Sequence, residues 1–343
     1  MTERLSRDDI AERLGRIAPR LAPGAYAIAD MTRLTGGASM ETWSFDAVTP
    51  DERVPLILRR RAAALASAPT SADTSTAPLA REAEVIACAV AAGVPAPRIV
   101  HVCEDDDTYG GLGDAYVMHR IAGETLGKRI ATDPALATVR PSLARQCGAA
   151  LARIHAVTPP ATLEYVDAAA TLARYEATWR ASGAVRPTIE AAFRWLERRL
   201  PRDAVAPRLI HGDFRNGNLM VDPANGLVAV LDWELAHVGD PAEDLGWLCT
   251  ASWRFGQPHR RVGGFGEVDD LLAGYAEAGG EPIDPARVEY WSMLGSLKWG
   301  VMTTMMYASF AADPSAGPER GVIGRRLSEA EADIVAIIEA SRG

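Results

Sequence analysis

Lysine is nearly absent from this chain of 343 residues: of 36 basic residues only Lys128 and Lys298 are lysines, a bias that, with the abundant alanine, fits a GC-rich genome better than a function. Positive charge is also the minority sign. Acidic residues number 45, giving a net charge of −9 and a pI near 5.3, so the overall field repels nucleic acid and anionic membrane surfaces. A small polar or cationic partner fits better. Cysteine is scarce, and Cys88, Cys103, Cys147 and Cys249 form no CxxC pair, which excludes a disulfide framework and makes a reducing cytoplasm the expected compartment. Long apolar runs are missing too. Val85 to Val94 is too short, and Leu294 to Ala312 carries Lys298, so neither reaches the roughly 18 clean apolar residues of a membrane span. The N-terminus is charged where a signal peptide needs an apolar stretch. The expectation is a soluble protein.

What is present is a 48% hydrophobic chain, long enough to bury a sizeable core and to split into two lobes. Residues 5–21 read as an amphipathic leading helix, followed by strands at Tyr26–Leu34, Glu41–Val48 and Leu56–Arg60. The alanine-, serine- and threonine-rich stretch 62–80 reads as a flexible insertion before a helix over Arg81–Ala92. Strands at Arg98–Cys103 and Ala115–Arg120 then complete a five-stranded antiparallel sheet. From Pro134 the spacing turns helical, with Leu143, Cys147, Ala150, Leu151, Ile154 and His155 on one face and helices near 167–181 and 187–200. The expected division is 1–121 and 122–343. No internal repeat is found.

The most informative stretch is His211-Gly212-Asp213-Phe214-Arg215-Asn216-Gly217-Asn218, followed by the apolar run Val228–Leu231 and then Asp232-Trp233-Glu234. Two β-like runs each deliver a polar cluster. Asp232 ends an apolar strand, where an uncompensated carboxylate is costly and a cation would relieve the cost. Taken singly, Asp213 reads as a turn-forming Asx residue and Asn218 as a left-handed turn residue.

Together these residues resemble the catalytic loop of the protein-kinase-like superfamily, and the His-Gly-Asp and Asp-Trp-Glu forms are similar to the aminoglycoside phosphotransferase family of small-molecule kinases. In Leu58-Arg59-Arg60 the chain also resembles a related branch that includes the kinase-like domains joined to acyl-CoA dehydrogenases. The resemblance implies an α+β, two-lobed fold and transfer of the γ-phosphoryl of ATP to a hydroxyl. It implies that Asp213 receives the proton of the substrate hydroxyl, that Asn218 and Asp232 hold Mg²⁺ against ATP, and that His211 orients the loop. Arg215 has two open readings: steadying phosphate charge, or pairing with a neighbouring carboxylate. Asp240 and Asp244, in Gly239-Asp240-Pro241-Ala242-Glu243-Asp244, match a family signature in which they brace the loop and cap a helix. This signature begins only 7 positions after Asp232, too soon for a phosphorylation-controlled activation loop.

In the first lobe, Gly36, Gly37 and Ser39 lie in a turn between two strands, where backbone N–H groups can approach phosphate oxygens. Kinases place a Lys at the end of the third strand, paired with a helix Glu. Here there is none, and Arg59 aligns with it, with Glu82 as partner and Glu84 as fallback. Backbone groups of His119 and Ile121, at the implied interlobe hinge, would meet adenine.

The reading is an ATP- and Mg²⁺-dependent kinase of a small hydroxylated molecule, with an amphipathic acceptor such as a hydroxyacyl-CoA favoured because Trp291–Ala312 contains no Asp or Glu. Three alternatives stay open: an aminoglycoside-modifying resistance kinase, a catalytically weak nucleotide-binding module, and a binuclear metallohydrolase using His211, Asp213, Asp232 and His237. Neither the acceptor's identity nor the oligomeric state is legible in the sequence.

Overall fold

The computed structural model describes residues 5–34, 40–61, 78–103, 111–203, 205–313 and 317–341. The chain divides into two units, Met1–Ala122 and Gly123–Gly343. The first is built on a five-stranded antiparallel sheet of β1 (Ala27–Leu34), β2 (Glu41–Val48), β3 (Arg53–Arg60), β4 (Ile99–Cys103) and β5 (Ala115–His119), in the order β1-β2-β3-β5-β4. Its leading segment is not one helix. It breaks into α1 (Arg7–Arg16) and α2 (Ala18–Leu21), because Pro19 lacks the N–H that a continuous helix would need there. A capping box between Ser6 and Asp9 starts α1. Ile10, Leu14 and Leu21 bury themselves against Phe45, Leu56, Leu58 and Val117 on one face of the sheet.

The alternation of β3 then decides where its arginines go. Arg60 shares the face of Leu56 and Leu58, is buried, and is neutralised by Glu41 at 3.0 Å. Arg59 points to the other face, where α3 (Leu79–Ala91) packs on β4 and β5. This helix begins two residues earlier than expected because the Asp114 carboxylate accepts the Leu79 N–H at 2.7 Å. Residues 62–77, most of the expected insertion, lie outside the described residues, as do Gly36, Gly37 and Ser39.

The second unit is mainly helical: α4 (Gly127–Thr132), α5 (Arg140–Ala156), α6 (Ala168–Ser182), α7 (Pro187–Arg198), α8 (Ala242–Cys249), α9 (Val268–Glu277), α10 (Pro285–Ala312), α11 (Pro318–Gly324) and α12 (Leu327–Ala340). Its core gathers Tyr175, Trp179, Phe193, Trp291, Leu294 and Ile334 around α10. Four short strands interrupt the helices. β6 (Arg208–Ile210) pairs with β9 (His237–Gly239), and β7 (Leu219–Asp222) with β8 (Gly226–Val230), both antiparallel. The loop 211–218 therefore leaves β6 and enters β7, while 231–236 leaves β8 and returns to β9. These two pairings bring the polar clusters together. Among the described residues, no helix is long and apolar enough to cross a membrane.

Candidate active site

The β7–β8 ladder extends one step further, because the Leu231 N–H donates to the Asn218 carbonyl at 2.8 Å. Asn218 and Asp232, 14 positions apart, thereby sit at one end of one hairpin. His211 closes the loop from the other side. Its fully buried ring lies between Leu231 and Asp213, 3.1 Å from the Leu231 carbonyl through Nε2 and accepting the Asp213 N–H through Nδ1 at 3.2 Å. This pattern requires the neutral Nε2–H tautomer, and burial pushes the imidazole below its ordinary value. His211 orients backbone and is itself fully occupied.

Gly212 adopts φ +81°, and a Cβ there would meet the Leu235 carbonyl oxygen at 2.4 Å, so only glycine lets the two loops approach this closely. Asp244, fully buried on α8, accepts the N–H groups of His211 (2.8 Å) and Gly212 (2.9 Å). Burial alone would raise its carboxyl, but the His155 hydrogen bond at 3.2 Å, the His155 charge and the His211 N–H bring it below the ordinary Asp value. Asp240 accepts the Ala242 N–H at 3.0 Å and pairs with Arg287 (2.7 Å) and Trp291 Nε1 (2.9 Å). Both aspartates have the bracing and capping roles expected from the signature.

The carboxylate of Asp213 is held by three side chains. Trp247 Nε1 donates to Oδ1 at 2.7 Å, Asn218 Nδ2 to Oδ2 at 2.6 Å, and Arg215 Nε spans both oxygens at 3.1 and 3.2 Å. Of the two readings of Arg215, the structure therefore shows pairing with a carboxylate, with the guanidinium stacked 4.4 Å from the Trp253 ring centre. Trp247 was not legible as part of this cluster. It stands 34 positions from Asp213, among apolar residues that a sequence reading assigns to core or pocket wall.

The donor set fits a magnesium ion. Asn218 also donates its amide to the Asp213 carbonyl at 3.0 Å, so Nδ2 is turned inward and Oδ1 is the group presented outward. Asp232 adds an anionic oxygen from a backbone held at φ +66°, a strained conformation for a non-glycine residue of the kind kept at functional sites. Amide and carboxylate oxygens suit a hard cation. The metallohydrolase alternative does not fit: both ring nitrogens of His211 are engaged, and those of His237 bind the Leu235 carbonyl (2.9 Å) and Glu243 (3.2 Å). Among the described residues no cluster of three His, Cys, Asp or Glu suits a metal.

In the first unit Arg59 forms an ion pair with Glu82 at 3.6 Å, both largely buried, whereas Glu84 is exposed. Arg61 instead pairs with Asp114 at 3.1 Å. His119 ends β5 and donates its N–H to the Arg98 carbonyl at 2.9 Å, so what its backbone can offer a base is the carbonyl. Its ring accepts from Arg98 at 3.0 Å, and burial followed by the Arg98 charge pushes it below the ordinary His value. Ile121 follows two positions later.

Residues 30–291 match the profile of the phosphotransferase enzyme family, APH. The chain belongs to this family. The profile starts within β1 and stops at Trp291 within α10, short of α11 and α12. Among curated proteins, acyl-CoA dehydrogenase family member 10 of Mus musculus is 33% identical over 183 residues, 50% of this chain and 16% of that protein. Family member 11 of Homo sapiens is 31% identical over 174 residues, 48% of this chain and 22% of that protein. The chain thus corresponds to a minor part of these relatives. Among solved structures, a candidate aminoglycoside phosphotransferase of Ralstonia eutropha has a TM-score of 0.69 at 19% identity, covering 96% of this chain and 98% of the other. A spectinomycin phosphotransferase bound to ADP and spectinomycin has a TM-score of 0.62 at 13% identity, covering 99% of each chain. This phosphotransferase fold is the α+β, kinase-like one expected from the loop residues.

Proposed function

We propose that the chain transfers the γ-phosphoryl group of ATP to the hydroxyl of a small molecule, using Mg²⁺. The observation that carries this reading is the Asp213 carboxylate, gripped by Arg215, Asn218 and Trp247 at the end of a loop whose backbone is fixed by His211 and Asp244. Such a group is oriented before any substrate arrives, which is what positioning an attacking hydroxyl and receiving its proton requires. Asn218 and Asp232 supply the oxygens for Mg²⁺, which when bound neutralises phosphate charge. Arg59, held by Glu82, takes the place of the usual strand-three Lys toward the α- and β-phosphates, with Gly36, Gly37 and Ser39 as further phosphate contacts. The His119 carbonyl and the Ile121 backbone serve the adenine. The Arg59–Glu82 ion pair supports a competent enzyme over a weak nucleotide-binding module, since it keeps the charge that the missing lysine would provide.

For the acceptor, the reading favours a hydroxyacyl-CoA or similar amphipathic alcohol over an aminoglycoside. A polycation needs available carboxylates, and four of those in the helical unit are matched internally: Asp240 by Arg287, Glu243 by His237, Glu289 by Arg261 and Asp333 by Arg254. The names of the acyl-CoA dehydrogenase relatives point the same way. ADP release from Mg²⁺ATP, measured in parallel with 3-hydroxyacyl-CoA compounds and kanamycin-type aminoglycosides, tests it. Turnover with the thioesters supports the reading; efficient turnover of aminoglycosides alone contradicts the choice of acceptor, and no turnover of any alcohol contradicts the kinase itself.

A further inference from the structure

Lys298 is the only charged residue between Trp291 and Ala312, on an α10 segment otherwise apolar or hydroxylated. Its ammonium lies 4.8 Å from the Trp247 ring centre and 6.0 Å from that of Tyr175. No ion pair neutralises it among the described residues, so its charge acts on these rings. The Trp247 ring is also met edge-on by Trp253, centroids 5.2 Å apart at 67°, and Trp253 in turn by Trp299 at 4.9 Å. At its own edge, the Trp247 N–H is the 2.7 Å donor to Asp213 Oδ1. A cation over an indole face draws π density toward itself, which leaves the ring-edge N–H more positive and a stronger donor.

We propose that Lys298 is a positioning residue for phosphoryl transfer: stacked on Trp247, its ammonium strengthens and aims the indole N–H that holds the Asp213 carboxylate. This rests on the reading of Asp213 as the group that receives the acceptor hydroxyl. Packing alone does not explain the charge, because a methionine would fill the same place without the desolvation cost of a half-buried ammonium. A competing role exists. Lys298 lines a small cavity with Gly212, Glu243 and Trp247, and there it could touch an anionic acceptor directly.

The two roles separate in the indole NMR spectrum of the ¹⁵N-tryptophan-labelled protein, recorded without acceptor. The Trp247 signal is identified by its loss in Trp247→Phe and by its displacement in Asp213→Asn. The proposal expects Lys298→Met and Lys298→Gln to move this signal upfield, and Lys298→Arg to leave it near its native position. It also expects ADP release, with whichever alcohol of the panel turns over, to fall about tenfold in Lys298→Met through kcat, at unchanged KM for that acceptor. A Trp247 signal that stays in place in both the Met and Gln variants overturns the proposal, and so does a rise in acceptor KM at unchanged kcat. Full turnover of Asp213→Asn would instead overturn the reading of Asp213, whatever the indole signal shows.

Discussion

Asp244 accepts the backbone N–H of Gly212 at 2.9 Å across 32 positions of sequence, and its other oxygen takes the His211 N–H at 2.8 Å. Helix α8 thus carries the strut on which the loop 211–218 rests. Asp244→Asn keeps the shape but turns a donor toward one of two buried N–H groups. It should cost about 3 kcal/mol of unfolding free energy in urea titration. A loss below about 0.5 kcal/mol would remove the strut from the account.

His211 and His237 give opposite pH signatures. Burial depresses His211, so below about 6.5 the unfolded chain takes up a proton that the native ring refuses, and stability falls as pH falls. His211→Gln should flatten that acid limb. At His237 burial acts in the same downward direction, but the Glu243 charge and hydrogen bond outweigh it and raise the ring above its ordinary value. Its contribution is present below about 6.5 and lost as pH rises through the raised value, so His237→Gln should flatten the neutral-to-alkaline decline. Thermal unfolding of the three proteins from pH 5 to 9 checks both signs.

Arg59 and Arg61 meet different carboxylates, since Arg59 pairs with Glu82 on α3 and Arg61 with Asp114 beside α3's first turn. Arg59→Ala should raise KM for ATP about tenfold and lower kcat, while Arg61→Ala leaves both within about twofold. Steady-state kinetics against ATP concentration measure this. Equal, small effects at both positions would favour the weak nucleotide-binding module.

Asp232 carries the formal charge of the candidate Mg²⁺ pair, and Asn218 a neutral oxygen. Asp232→Ala should therefore weaken Mg²⁺-dependent ATP binding more than Asn218→Ala does, by about tenfold or more against wild type. Calorimetric titration with and without Mg²⁺ reads the difference. Unchanged Mg²⁺ATP affinity in Asp232→Ala would make the metal assignment wrong.

The local features were legible in the sequence because they are written at short range. His211-Gly212-Asp213, Asn218 and Asp232 stand out as polar residues at strand ends, and strand alternation alone puts Arg59 on a different face from Arg60. The five strands follow from turn residues and apolar runs. What escaped is what helices carry from afar. His155 reaches Asp244 across 89 positions and Trp247 reaches Asp213 across 34, and both look like ordinary core residues until the packing brings them in. The break at Ile17 escaped for a different reason. The amphipathic period continues through it, and only the position of Pro19 interrupts the hydrogen bonds.

In the proposed reaction Asp213 acts on the acceptor hydroxyl and not on the nucleotide. Asp213→Asn keeps an oxygen for Trp247 and the size of the side chain, so the loop should stay folded. Turnover should drop on the order of 10²-fold or more in kcat, while calorimetric affinity for Mg²⁺ATP stays within about threefold of wild type. Near-normal turnover in this variant, with its fold intact, would contradict the account.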